Sequence, residues 1–157
     1  MDLIKILESL SVSFEKTPFE EQLYTCNDVA LSLGILPEQV AKAMLVEIKN
    51  KGYCIAVIPG NYRLDISLLK DALNDAKISL VHFSKIEKAI GLPVGAVTPL
   101  IYLINPSIEI IIEKKLLELN KINISSGDLK MGINIAVSDL AKLTTASFNN
   151  ISFVPSS

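Results

Sequence analysis

The hydrophobic residues in the first part of the chain follow the period of an α-helix. They recur at helical spacing over residues 3–10, which predicts a short first helix. Further on, Thr25 and Asp28 have the spacing of a capping box, in which each side chain binds the amide of the other. Gly34 stands where many helices end in a left-handed residue. These signals predict a second helix over residues 26–33.

A β-hairpin is the clearest supersecondary unit in the pattern. Pro37 begins what resembles a helical first turn, and we expect that helix to end near Lys42. Two apolar runs come next, at 44–48 and 53–58, and the polar residues 49–52 between them are typical of a tight turn. Because the runs are almost continuously apolar, we expect them at the centre of a sheet that is covered on both faces.

The remaining periodic segments alternate irregularly between helix and strand. We expect helices after the capping residues Asp65, Ser84 and Ser138. Strands are expected at 12–15, 78–81, 100–104, 108–112, 121–125, 133–137 and 146–153, with a helix or turn at 113–119. This order lacks the strict repeat of a doubly wound parallel sheet. With 157 residues, near the commonest domain size, the chain is predicted to form one domain, 1–157, of the α+β class with a mixed, curled sheet.

The charge balance narrows the classes of partner. The chain has 15 basic and 17 acidic residues, a net charge of −2, and 50% of its residues are hydrophobic. This is too balanced for holding long stretches of nucleic acid, so no DNA partner is expected and any polynucleotide contact should be local. All basic residues except Arg63 are lysines, which leaves little capacity for bidentate recognition of phosphate or guanine.

The few cysteines and histidines argue against a metal centre or a catalytic triad. Cys26, Cys54 and His82 are the only thiols and the only imidazole, so a four-ligand zinc site would need carboxylates for part of its shell. A Ser-His-Asp triad would depend on His82, which we expect to be a structural residue just before a helix. We expect a cytoplasmic protein, because there is no disulfide pattern and no signal-like start. The uncharged stretch 89–108 contains three prolines and two glycines, so it is not expected to cross a membrane as a helix.

Three local features could carry chemistry. Lys42 precedes a buried strand, where its side chain either extends to solvent or projects into a pocket as a cation or proton donor. The loop 95–99 holds backbone amides that could converge on a carbonyl oxygen or an oxyanion, unless it is an ordinary connection. Its residues are Gly95, Ala96, Val97, Thr98 and Pro99. The small polar residues at 125–127 come at the end of a strand. They either face a ligand there or only form a structural turn.

In this order and spacing, these features resemble the YbaK/prolyl-tRNA-editing domain, a family of aminoacyl-tRNA deacylases related to the insertion domain of bacterial prolyl-tRNA synthetase. The resemblance covers about residues 12–151. It is carried by YTCNDVALSLG from Tyr24, LPEQVAK ending at Lys42, AVIPGNYRLD ending at Asp65, IGLPVGAVTP ending at Pro99, SSGDLKMGI with Ser126, Gly127 and Gly132, and SDLAKLT. The ordered occurrence of these pieces is more specific than any one of them.

The resemblance implies a fold and an activity. The family fold is a compact α+β domain with a mixed, partly barrel-like sheet surrounded by helices. Its members hydrolyse the ester between a wrong amino acid and the 3′ adenosine of a tRNA, usually a tRNA for proline, without metal or other cofactor. Activity depends on a lysine that matches Lys42, and the loop 95–99 shapes the aminoacyl pocket. Ser126, Gly127 and Tyr24 are then further substrate-binding candidates.

Two positions depart from the family pattern. Ala43 stands where the family commonly has Thr or Ser, and Lys130-Met131 stands where a basic pair often precedes the glycine matching Gly132. From Ala43, Val97 and Tyr24 we expect a small, rather apolar pocket for Cys or Ala. The prediction is a monomeric deacylase that binds the aminoacyl-tRNA 3′ end, with a synthetase as a further partner. The alternative is a catalytically weak module that binds a synthetase or a small aminoacyl ligand.

Overall fold

The computed structural model describes residues 2–74 and 76–156, which form five α-helices, three 3-10 helices and ten strands. The helices are α1 (Leu3–Ser9), α2 (Cys26–Leu33), α3 (Ile66–Ala72), α4 (Phe83–Ile90) and α5 (Val137–Thr144). The strands are β1 (Phe14–Pro18), β2 (Ala41–Ile48), β3 (Gly52–Pro59), β4 (Arg63–Leu64), β5 (Ile78–Leu80), β6 (Glu109–Glu113), β7 (Lys121–Asp128), β8 (Met131–Ala136), β9 (Ser147–Asn149) and β10 (Ser152–Phe153). The 3-10 helices are Pro37–Gln39, Pro99–Leu103 and Lys114–Glu118.

The described strands form three open sheets. The largest has the order β5-β2-β3-β6-β9, in which β3 pairs parallel with β6 and β6 with β9, while the other pairs are antiparallel. An antiparallel sheet of order β1-β8-β7 packs beside it, and β10 pairs with β4. The predicted α+β class with a mixed sheet is therefore confirmed.

The predicted hairpin is the centre of the largest sheet. β2 and β3 pair antiparallel from Ala41 opposite Pro59 to Ile48 opposite Gly52. Alternate side chains enter two different hydrophobic clusters, with Ile55 in one and Ala56 in the other. Since successive side chains of a strand point to opposite faces, both faces of this sheet are buried, as the continuous apolar pattern predicts.

The three-stranded sheet has one apolar and one polar face. Its isoleucines on β7 and β8 pack into the larger cluster. The residues between them, Asn123 and Ser125 on β7 and Gly132 and Asn134 on β8, therefore point to the opposite face. This polar face forms one wall of a cavity beside β2.

Two predicted elements are wrong. Lys42 does not end a helix: the turn at Pro37–Gln39 is a short 3-10 helix, and Lys42 is the second residue of β2, opposite Ile58. Residues 100–104 are not a strand: 100–103 belong to the 3-10 helix Pro99–Leu103, whose first amide is capped by Thr98, and Ile104 follows its last residue. In both places a proline begins a tight turn, and tertiary pairing rather than local periodicity decides how the chain continues.

Other predicted boundaries are confirmed or shifted by a few residues. Thr25 caps α2 and Gly34 ends it in the left-handed conformation, and Asp65 caps α3. His82 rather than Ser84 caps α4, because its ring nitrogen accepts from the amide of Ser84. Further shifts are β1 at Phe14–Pro18, α5 beginning at Val137, and 146–153 divided between β9 and β10.

In the described part of the chain, the helices are too short or too polar to cross a bilayer.

Candidate functional site

A cavity of about 570 Å³ opens between β2 and the polar face of the three-stranded sheet. Its other walls are formed by the segment from Phe19 to the start of α2, the loop at Gly95, the turn between β7 and β8, and the side chains of Leu80, Val81 and Ile86. Of the predicted catalytic and substrate-binding residues, Lys42, Gly95, Val97 and Tyr24 line it. Its volume is in the range of small-ligand sites. The cavity therefore brings the lysine and the glycine loop to one place.

The other predicted site residues lie outside this cavity. Ala96, Thr98 and Pro99 are the buried residues of the loop and do not line the cavity. Ser126 and Gly127 line a second cavity beside the first, together with residues of α1. The Ser126 hydroxyl donates to the Met131 carbonyl at 2.6 Å, so it stabilises the turn between β7 and β8. Its neighbour Ser125 lines the first cavity instead.

The Lys42 side chain is half-buried and held in place by one hydrogen bond. Its Nζ donates to the backbone carbonyl of Tyr62 at 3.1 Å. The chain turns back after β3, which brings this carbonyl beside the start of β2. An ammonium group has three N–H donors, so two donors remain for a ligand.

Gly60 packs the start of α2 against the start of β2. Its amide donates to the Val40 carbonyl at 2.7 Å. A Cβ atom at this position would lie 2.7 Å from both the Cys26 Cβ and the Pro37 carbonyl oxygen. Only glycine fits such a close approach of backbone segments. In the sequence, Gly60 is only one residue of the segment AVIPGNYRLD, and no local signal distinguishes it.

The loop 95–99 is closely packed at Gly95, and one of its four amides has a backbone acceptor. Gly95 has φ +87°, and a Cβ there would lie 3.1 Å from Leu129 Cδ2 and 3.2 Å from Tyr24 Cδ1. The Ala96 amide donates to the Pro93 carbonyl at 3.0 Å, closing a β-turn. Thr98 is fully buried. Within residues 2–74 and 76–156, no acceptor binds the amides of Gly95, Val97 and Thr98. Of these residues, Gly95 and Val97 line the cavity, so their amides could face a ligand.

Cys26 also lines the cavity, close to Lys42. Burial raises the pKa of the Cys26 thiol, and the positive charge of Lys42 lowers it again in part. In the core of the large sheet, burial and the Glu109 carboxylate raise the pKa of Cys54 to about 12. Both thiols are therefore protonated at neutral pH.

The reactivity of Cys26 should report the charge of Lys42. We expect alkylation of Cys26 by iodoacetamide to be slow at pH 7 and to accelerate as the pH rises, because the thiolate is the reactive form. Lys42→Met should slow it further at each pH, since losing the nearby cation raises the thiol pKa. Peptide mass spectrometry over pH 7–9 would measure the rates, with Lys114→Met as the control. Equal or faster alkylation in Lys42→Met would contradict the influence of the Lys42 charge on the Cys26 thiol.

The mouth of the cavity carries an exposed aromatic ring. Tyr24 is 59% exposed, and its hydroxyl donates to the Gln22 side chain at 2.7 Å. The segment before it is fixed by hydrogen bonds to the turn between β7 and β8, from the Phe19 amide to the Lys130 carbonyl and from the Leu23 amide to the Leu129 carbonyl.

In the part of the chain that the structure describes, no three His, Cys, Asp or Glu side chains cluster as metal ligands would.

The chain is similar in sequence to known proteins. The family model described as "Aminoacyl-tRNA editing domain" matches residues 20–143, more than half of the chain. The chain is 25% identical over 150 residues to "Putative Cys-tRNA(Pro)/Cys-tRNA(Cys) deacylase EbsC" of Enterococcus faecalis, covering 94% of this chain and 90% of that protein. It is 33% identical over 84 residues to a proline–tRNA ligase of Fervidobacterium nodosum. This alignment covers 50% of this chain but only 14% of the ligase.

Solved structures share the fold. The structure of "hypothetical protein APE2540" superposes with a TM-score of 0.88 at 22% identity, covering 96% of this chain and 99% of that one. A "putative trans-editing enzyme for prolyl tRNA synthetase" superposes with a TM-score of 0.75 at 16% identity, covering 89% of this chain and 87% of that one. At these identities the likeness establishes the architecture alone.

Proposed function

The chain belongs to the aminoacyl-tRNA editing domain family, and we propose that it removes Cys or Ala from a mischarged tRNA for proline. Membership makes it an aminoacyl-tRNA deacylase by class. The proposal adds the substrate, the key lysine and the glycine loop. The observation that carries it is that the half-buried Lys42 ammonium lines the same cavity as Gly95 and Val97.

Hydrolysis of an aminoacyl ester needs little chemical machinery. The ester is already activated, so a water molecule can add to its carbonyl carbon once both are held in place. The tetrahedral intermediate then expels the ribose oxygen, which leaves as a hydroxyl carrying the proton that the added water molecule has lost. Negative charge develops on the carbonyl oxygen, and fixed donors at that point lower the barrier. Lys42 and the amides of Gly95 and Val97 are proposed as those donors.

The walls beside Lys42 favour a small amino acid side chain. Ala41 and Ala43, the neighbours of Lys42 on β2, line the cavity together with Val97 of the loop, and all three contribute small apolar groups. A hydrophobic pocket of this kind accepts Ala and the weakly polar Cys. Serine and threonine would lose hydrogen bonds of their hydroxyl groups to water in such a pocket. The preference for Cys or Ala follows from this lining.

The proposal is consistent with the modest charge of the chain. A net charge of −2 gives no general attraction to a polyanion. The 3′ end of a tRNA is single-stranded and narrow, so a cavity of about 570 Å³ needs to receive only the last residue and its amino acid. Tyr24 at the mouth is proposed to stack on the terminal adenine, as aromatic side chains do on unpaired bases.

A deacylation panel tests the proposed function. Wild-type protein is incubated with tRNA for proline charged in turn with Cys, Ala, Ser, Thr and Pro, and the loss of ester is followed against the spontaneous rate. We expect acceleration for Cys or Ala, weaker acceleration for Ser and Thr, and none for Pro. If no charged tRNA is hydrolysed faster than it decays alone, the proposal is wrong.

A further inference from the structure

Asn123 is a buried polar residue on the floor of the cavity, and nothing in the proposed chemistry uses it. Its side chain lies on the polar face of the three-stranded sheet, and the residue is 3% exposed. A buried carboxamide is costly unless its polar atoms are paired. The atoms of Asn123 that are paired, and the one that is not, therefore indicate its role.

The nitrogen of the Asn123 side chain is fully used. Nδ2 donates to the Thr17 hydroxyl at 3.0 Å and to the Asn134 carboxamide oxygen at 2.8 Å. An amide nitrogen has two hydrogens, so both are occupied by partners on β1 and β8. These two bonds fix the orientation of the carboxamide plane.

The oxygen of the same side chain remains available. Among the described residues, no donor binds Oδ1 of Asn123. Gly132 lines the cavity beside it and has no side chain to cover it. A Cβ at 132 would lie 2.9 Å from Oδ1 and 2.8 Å from the Thr17 hydroxyl oxygen. A fixed acceptor therefore lies at the cavity floor with space in front of it.

We propose that Oδ1 of Asn123 accepts a hydrogen bond from the α-ammonium group of the bound amino acid. The inference rests on the proposed function and deepens it. The charged side chains that line the cavity in the described part of the chain are Lys42 and Asp128. Lys42 repels an ammonium group, and Asp128 is exposed at the end of β7, where its Oδ1 accepts from the Lys130 amide at 2.8 Å. Of the buried groups, Asn123 supplies the acceptor that an ammonium group needs.

This contact would make Asn123 a positioning and specificity residue. With the ammonium group bound at the floor, the ester carbonyl is directed away from it, toward the cation and the loop amides. Thr17 acts through Asn123, because its hydroxyl anchors Nδ2 and so aims Oδ1. Gly132 acts by leaving the oxygen uncovered.

The test removes each partner of the proposed hydrogen bond in turn. Wild type and Asn123→Ala are assayed on tRNA for proline carrying alanine and on the same tRNA carrying propionate, which lacks the amine. We expect Asn123→Ala to lower kcat/KM about 10- to 100-fold for the alanyl ester and less than about 2-fold for the propionyl ester. Thr17→Val should give a smaller loss, again only with the amine. Asn149→Ala is the control, because the Asn149 side chain bonds Ser147 on β9. It should leave kcat/KM unchanged for both esters.

Other outcomes distinguish a failure of the Asn123 inference from a failure of the proposed function. An equal loss on both esters would overturn the inference and indicate a purely structural role or a contact with a ribose hydroxyl. If Asn123→Ala melts below the assay temperature, Thr17→Val carries the same comparison. If wild type hydrolyses neither ester, the comparison is repeated with calorimetry on 3′-alanylamido- and 3′-propionylamido-3′-deoxyadenosine, and the proposed function fails only if the cysteinyl tRNA of the panel is not hydrolysed either. Tighter binding of the amine-bearing analogue, abolished in the variants, would support the inference, and equal binding would refute it.

Discussion

Lys42→Met should lower kcat/KM for hydrolysis of the preferred mischarged tRNA about 10²- to 10³-fold. The substitution keeps the length of the side chain and removes its charge and its donors. In the folded protein the ammonium is half-buried, with two donors left after its bond to the Tyr62 carbonyl. A cation in such a site stabilises developing negative charge more strongly than it would in water. Single-turnover deacylation measures the effect.

The kinetic constants distinguish two ways in which Lys42 could act. If it stabilises the oxyanion, kcat falls and KM changes little. If it binds the phosphate of the terminal adenosine, KM rises instead. Lys114→Met is the matched control, because Lys114 is an exposed lysine after β6. A Lys42→Met protein that stays folded and hydrolyses its substrate at the wild-type rate would contradict the proposed role.

Glu113→Ala should produce the largest loss of stability, about 3–5 kcal/mol in the free energy of unfolding. Glu113 ends β6 and is 1% exposed. Its Oε1 accepts from the Ile151 amide at 3.0 Å, the Ser152 amide at 3.0 Å and the Ser152 hydroxyl at 2.7 Å, and its Oε2 accepts from the Lys115 amide at 2.8 Å. Removing the carboxylate leaves buried donors without partners.

Thermal and denaturant unfolding measure this effect, and we expect the melting temperature to fall by about 10 °C. Glu113→Gln keeps an acceptor in place and should lose less. Glu109→Ala is the matched control, since Glu109 is an exposed carboxylate on the same strand. Because Glu113 is not among the residues lining the cavity, deacylation below the melting temperature should stay near wild type. A loss below about 1 kcal/mol would show that the C-terminal strand is held by other contacts.

The elements that the sequence predicted well are those whose signals lie within a few residues of one another. The helix α2 is defined by Thr25 at its start and Gly34 at its end, and the structure has both caps. The hairpin of β2 and β3 is defined by its turn and its apolar runs. Local signals failed where a proline begins a turn, as at Pro37 and Pro99, because the continuation there depends on distant pairing.

The residues of the candidate site divide in the same way. Lys42 and the loop 95–99 could be found because they belong to an ordered motif along the chain. Asn123 left a weaker signal, a polar residue alternating with isoleucines on β7. Gly60 left none, because its requirement comes from Pro37 and Cys26, which are distant in sequence. Contacts of this kind arise only when separate segments pack together.

The sequence by itself determined the family, the α+β class and the lysine and loop on which the proposed chemistry depends, because these are read from local periodicity and from residues in a fixed order. Only the tertiary structure decided which loop residues face the cavity, that Ser125 rather than Ser126 lines it, and that Asn123 presents a fixed acceptor at its floor. The physical reason is that orientation is set by strand register. A shift of one residue turns a side chain to the other face of a sheet.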